Sequence, residues 1–156
     1  MPTGSVTEEI AASSAEVFAL LHDYARRLEW DTLLSAAYLE PPATHAELGA
    51  TSVCIGKRHL GGIAIRTRYV AFRPPQLAAV EMLNQPPFFD SFAASIRHQE
   101  LGPARSSVTY RFTFRAKPRW LCFVLHPAMR LVFRFETQKR LAALRRFFAD
   151  GGLVSP

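Results

Sequence analysis

Five histidines are spread along the chain, His22, His45, His59, His98 and His126, and no two of them fall at the spacing of a metal site or of a recognised acid/base pair. The two cysteines, Cys54 and Cys122, lie far apart, each in an apolar run and without a Cys or His at ligand spacing. That pattern reads as a reduced, buried pair and gives no metal site. Glu8, Asp31 and Asp90 are the carboxylates nearest to apolar strand or helix ends, where burial would raise a pKa toward acid/base work. A surface position is the plainer reading of each. General acid/base chemistry would therefore have to draw on His98, Asp31 and Tyr110. His98 falls in register with inward positions of its strand, and His59, just before Gly61-Gly62, reads as a turn histidine in water rather than a group at a cavity mouth.

Aromatic side chains are the better material for function. The chain carries 12 Phe, an excess that points to a wide aromatic-lined interior or an exposed apolar patch. Trp30, Tyr69 and Tyr110 each add a polar tip to an apolar body, and a few such tips inside apolar walls orient a ligand that the walls bury. With Thr67, Met82, Phe92, Phe112, Phe133 and Thr137 they form the expected lining of a hydrophobic pocket, against the competing reading of ordinary core. Trp30 and Tyr110 are expected to face that pocket together, one following the first helix and the other on the inward face of the last strand. No cofactor is implied.

The elements that must position these groups follow from periodicity. Ser5 to Ala12 reads as a strand, Ser13 or Ser14 caps a helix, and Val17, Phe18, Leu20, Leu21 and Tyr24 recur at helical spacing in a stripe that continues to Leu28. A short helix or turn is expected within 23–34. Strands follow at Ala36 to Glu40, Thr51 to Lys57, Ile63 to Arg73, Leu77 to Leu83, Phe89 to Leu101 and Ser106 to Ala116, punctuated by Pro41-Pro42, Gly61-Gly62, Pro74-Pro75 and Pro86-Pro87. Period-two alternation turns Ile63, Ile65, Thr67, Tyr69, Val80, Met82, Phe92, Ala94 and Ile96 inward. In the last strand Val108, Tyr110, Phe112 and Phe114 share one face. A final helix starts no later than Pro127-Ala128 and runs to about Ala149, before Gly151-Gly152. Its buried stripe is Phe133, Thr137, Leu141, Leu144 and Phe148, and Glu136 and Arg140 are expected to pair on its outer face.

At 156 residues the chain is long enough for one domain, 1–156, which can bury about 68–70% of its unfolded surface. Apolar residues make up 49% and charged residues 21%, which excludes disordered and fibrous classes. The N-terminus lacks a basic segment followed by an apolar run, and no apolar stretch reaches the roughly 18 residues of a membrane span, so a cytoplasmic location is expected. The net charge of +6 lies mostly after Arg97, with arginines alternating with apolar residues along strands rather than clustered in a reading motif, so no nucleic-acid partner is expected. The segment 115–135 departs most from a bland domain, being strongly apolar and studded with positive charge. Trp120, Phe123, Leu131 and Phe135 cannot share the stripe of Phe133 and Leu141. Such a surface suits packing or a homodimer interface, the preferred reading, or contact with anionic lipid.

The opening Ile10-Ala-Ala-Ser-Ser-Ala-Glu-Val17-Phe18-Ala-Leu-Leu-His-Asp23 with Trp30, and the closing Leu125-His-Pro127 followed by a helix ending in Leu141-Ala-Ala-Leu144-Arg-Arg-Phe147, resemble the START-like superfamily, also called SRPBCC. Within it they are similar to small bacterial polyketide cyclase/dehydrase-like and lipid-transport proteins. The resemblance implies an α+β helix-grip fold, about seven antiparallel strands curved around the C-terminal helix with a hydrophobic cavity between. It implies binding of a hydrophobic or amphipathic small molecule, a lipid, quinone or polyketide. A cyclase, dehydratase or hydrolase using the same cavity and a membrane-visiting lipid or quinone carrier are the alternatives. No position matches a catalytic motif of the family.

Overall fold

The structure, a computed structural model, describes residues 2–150. The chain forms β1 (Thr3–Ile10), α1 (Ser14–Leu21), α2 (Arg27–Trp30), β2 (Leu34–Leu39), β3 (Thr51–Gly56), β4 (Ala64–Arg73), β5 (Leu77–Met82), β6 (Phe89–Gly102), β7 (Arg105–Ala116) and α3 (Cys122–Ala149). The seven strands make one antiparallel sheet in the order β1-β7-β6-β5-β4-β3-β2. Strands β2 to β7 are a meander in which each pairs with the next, whereas β1 sits beyond β7. Helices α1 and α2 therefore carry the chain from one sheet edge to the other, and α3 lies across the concave face. This is the helix-grip arrangement.

Local chemistry explains the boundaries. Ser13 caps α1 through a capping box, its hydroxyl accepting from Glu16 N–H while the Glu16 carboxylate accepts from Ser13 N–H. The stripe does not continue to Leu28, which is exposed; α1 stops at Leu21 and the chain turns before α2. Gly61-Gly62 is less a tight hairpin than the end of a 3-10 turn over Arg58–Leu60, which Gly61 closes in the left-handed conformation at φ 84°. Helix α3 starts upstream of Pro127, which sits inside it, and Gly151-Gly152 lies outside the described residues.

Two features shape the concave face. A bulge between Tyr69 and Ala71, opposite Val80 and Ala79, leaves Val70 outside and brings both Tyr69 and Phe72 against Phe18 and His22. The C-terminal half of α3 anchors the core, with Leu141 and Leu144 packed with Val6, Ile10, Val17, Leu20, Leu21, Trp30 and Val108. A second cluster gathers Ala94, Phe112 and Phe114 under Phe92, Met129 and Phe133. Between these clusters a space is left between sheet and helix. Among the described residues no helix is long and apolar enough to cross a membrane.

Candidate ligand-binding site

A cavity of about 380 Å³ opens between the sheet and α3, within the size range of small-molecule sites. Alternation places Ile65, Thr67 and Tyr69 of β4, Ala78 and Val80 of β5, and Phe89, Phe92, Ala94 and Ile96 of β6 on its floor, with Ile63 just before β4. Tyr110 and Phe112 of β7 complete the floor, and Leu125, Ala128, Met129, Val132, Phe133, Glu136, Thr137 and Arg140 of α3 roof it. One end is aromatic: the ring of Phe133 lies 5.3–5.6 Å from those of Phe89, Phe92, Phe112 and Phe114. The other end is polar, two helical turns further along α3 at Arg140. Seven residues at 1.5 Å each separate the two ends by about 10 Å.

The polar end is organised by a carboxylate for which the sequence favoured a surface position and which the fold buries instead. Asp31, 3% exposed, accepts from Arg27 Nε at 2.8 Å and from Arg140 Nε and Nη2 at 3.1 and 2.9 Å. Burial pushes the Asp31 carboxyl up, but the guanidiniums of Arg140 and Arg27 outweigh it and hold it below the usual carboxylate range. Burial likewise opposes both arginine charges, and Asp31 more than restores them, so both stay protonated. Arg27 also donates to the Leu21 carbonyl, its cation lies 5.5 Å from the Tyr24 ring, and Arg140 lies 5.5 Å from the Tyr110 ring. Two buried cations share one anion. Glu136, a carboxylate of the cavity wall, has Lys139 at 3.5 Å as its counter-ion. The cluster of Arg27, Asp31 and Arg140 thus presents one surplus positive charge beside an apolar chamber.

A hydrogen-bonded chain of neutral groups borders the same end. His22 Nδ1 and Tyr69 Oη are 2.8 Å apart, and Tyr69 Oη and Tyr24 Oη 2.9 Å. Burial, then the Arg27 charge, pushes the His22 imidazole well below its ordinary pKa. Burial raises both phenols, so none of the three is charged near neutrality. Thr67 lines the floor with its hydroxyl tied to Ser52 at 2.8 Å.

Of the residues singled out in the sequence, Thr67, Tyr69, Tyr110, Phe92, Phe112, Phe133 and Thr137 line the cavity. Met82 shares the inward face, paired with Thr67, but lies at the strand end and is not part of the wall. Trp30 is also outside the main wall: it packs in the α3 core and borders only a side pocket of about 10 Å³ shared with Tyr110, Thr137 and Arg140. The α2 turn points its indole at Leu141 instead of at the chamber. Asp31 is buried where a surface position was expected, and it is engaged by two arginines. His98 points inward but stops behind the wall, its ring 5.2 Å from Phe18. The outer-face pair of Glu136 and Arg140 does not exist, since both are buried against the sheet. Both cysteines are unpaired and half-buried rather than buried, with Cys54 on the cavity wall. Sequence reasoning missed His22, Tyr24, Arg27, Glu136 and Arg140. The one signal available was the spacing of Arg27 and Asp31, a single helical turn apart. No group of His, Cys, Asp or Glu among the described residues is arranged to hold a metal.

An antiparallel sheet gripping a helix over a cavity defines the START-like class, and comparison with known proteins agrees. The family model described as polyketide cyclase / dehydrase and lipid transport matches residues 1–148, and the chain belongs to that family. A START superfamily protein from Mycobacterium smegmatis superposes with a TM-score of 0.77 at 13% identity over 93% of this chain and 95% of that one. Zhui aromatase/cyclase from Streptomyces sp. R1128 superposes at 0.74 and 14% identity, over 91% of this chain and 90% of its own. A norcoclaurine synthase from Thalictrum, a point mutant in complex with a transition-state analogue, does so at 0.71 and 10% identity, over 96% and 95%. At these identities the likeness is one of fold. No curated protein matches the sequence.

Proposed function

We propose that the chain, acting as one ligand-binding domain, takes up an amphipathic small molecule with a compact anionic head and an apolar or aromatic body. The observation that carries this reading is the surplus positive charge of Arg27 and Arg140 at one end of a largely apolar chamber, with the wall carboxylate Glu136 paired to Lys139. An anionic head would complete the balance there with charge-assisted hydrogen bonds, for which the guanidinium fork is well shaped. The body would lie along the roughly 10 Å between Arg140 and Phe133, against aliphatic and aromatic walls.

Displacement of an apolar fluorescent dye from the purified protein tests this directly. A medium-chain fatty acid and the alcohol of the same chain length share a tail and differ in the head. The acid is expected to bind about 10- to 100-fold more tightly, the worth of one hydrogen bond to a charged group. Equal affinities would remove the anionic head from the reading; failure of both to displace dye would remove the cavity as a binding site.

A second reading is a cyclase or dehydratase working in the same cavity. It is favoured by one pairing, the Glu136 carboxylate and the Tyr110 phenol on the wall of a single chamber, a base and an acid facing a bound carbonyl compound. His98 and Asp31 are not available for that work, one behind the wall and the other held by two arginines. With a reactive poly-β-ketone analogue, Glu136→Gln and Tyr110→Phe are each expected to slow turnover about 100-fold while leaving dye affinity unchanged. Turnover indistinguishable from the uncatalysed rate in the unsubstituted protein leaves binding as the function.

A further inference from the structure

The front half of α3 has two apolar faces. One roofs the cavity through Leu125, Met129 and Phe133. The other faces outward: Phe123 and Leu131 are 78% and 69% exposed, Val124 and Phe135 continue the stripe, and Trp120, in the 3-10 turn just before α3, extends it at 73% exposed. Val132 and Phe88 belong to both, exposed yet part of the cavity wall, so the stripe runs into the mouth. Phe88 is held there in a left-handed conformation, φ 70°, an unfavourable backbone for a bulky residue that keeps its ring at the rim.

Charge on this face is of one sign. From Lys117 to Phe135 the chain contains Lys117, Arg119, Arg130 and Arg134 and no acidic residue. Arg130 and Arg134, one turn apart on α3, run along the flank of the exposed stripe, and both are exposed. A second copy of the same face would bring these cations against their own kind. An anionic surface with an apolar interior matches both properties at once.

We propose that this face docks on an anionic lipid bilayer, with Trp120, Phe123 and Leu131 in the acyl boundary, Arg119, Arg130 and Arg134 among the headgroups, and the cavity mouth turned toward the membrane. The docking is independent of whether the occupant carries an anionic head. It gives the cavity a direction: the mouth at Phe88 and Val132 meets the bilayer, and Arg140 lies two turns of α3 further in.

Flotation of the full chain with phosphatidylcholine vesicles, with and without phosphatidylserine, tests the proposal, with tryptophan emission as a second readout. Trp30 is buried and Trp120 exposed, so a change on vesicle addition reports Trp120. The protein is expected to float only with phosphatidylserine, with a blue shift, and to be released by salt. Removing the charges of Arg130 and Arg134 costs about fivefold each, so R130E/R134E is expected to bind at least about 30-fold more weakly. Phe123→Asp is expected to abolish the blue shift. Both variants change exposed side chains and should keep the parent's melting temperature and dye affinity, which separates loss of docking from loss of the cavity. No flotation of the unsubstituted protein with phosphatidylserine overturns the proposal. So does a stable dimer in sedimentation that Phe123→Asp converts to monomer, since a second copy would then cover the face.

Discussion

Replacing Asp31 by Ala is expected to remove about 3–5 kcal/mol of folding stability, because it leaves the Arg27 and Arg140 charges buried with no counter-ion. Urea melts at neutral pH measure it. The loss comes from desolvated charge and not from lost volume, so Asp31→Asn should be nearly as damaging although it keeps the shape. Replacing the whole cluster by apolar residues, Asp31→Leu with Arg27→Met and Arg140→Met, should recover most of the loss. The pH dependence has a defined sign. The Asp31 carboxyl is held below its ordinary value of 3.8, so its contribution is complete above that value and is lost as pH falls through the folded value beneath it. A deficit under about 1 kcal/mol in Asp31→Ala would mean that water screens the cluster as it screens surface pairs.

Acid is expected to weaken the fold well before that carboxyl titrates, through His98. Its ring is 7% exposed, neither nitrogen has a hydrogen-bond partner, and burial pushes its pKa down to about 4. The unfolded chain takes a proton near 6.5 that the folded chain refuses. Stability is therefore full above 6.5 and falls as pH drops toward 4, by an amount of the order of 3 kcal/mol from His98 alone. His22, lowered by burial and then by Arg27 and His98, acts in the same direction. His98→Leu should keep the fold, gain about 1 kcal/mol at neutral pH by removing two unpaired polar atoms, and roughly halve the slope between pH 6.5 and 4. An unchanged slope in that variant would assign the acid sensitivity elsewhere.

The fold was legible because its signals are local and repeated. Alternation along β7 puts Val108, Phe112 and Phe114 in the core, and a serine cap at Ser13 or Ser14 places α1 within a residue or two. The aromatic end of the cavity followed from the same alternation, since Phe92 and Phe112 sit in unbroken strand. The polar end did not, for physical reasons. Arg27 and Arg140 carry charges that composition alone assigns to water, and they are paid for by a carboxylate 109 positions from Arg140 in the chain. No periodicity encodes that pairing. Glu136 and Arg140 have the spacing of a surface ion pair, but the sheet curls around α3 far enough to bury both. Trp30 was misplaced because its helix is a single turn, too short for a stripe to reveal its direction. The bulge at Tyr69, which brings Phe72 to His22, has no marker in sequence such as a glycine.

A chamber of about 380 Å³ inside a chain of 156 residues is volume that the protein's own side chains do not fill. Any occupant that fits supplies the missing contacts between β6 and α3, and so becomes in effect a piece of the interior. Folding and cargo are then thermodynamically linked. At a free concentration 100 times its dissociation constant, an occupant adds about 2.7 kcal/mol to the stability of the folded chain. Scarcity of the same compound would withdraw that support, so the lifetime of the folded protein would track the supply of whatever fills the chamber.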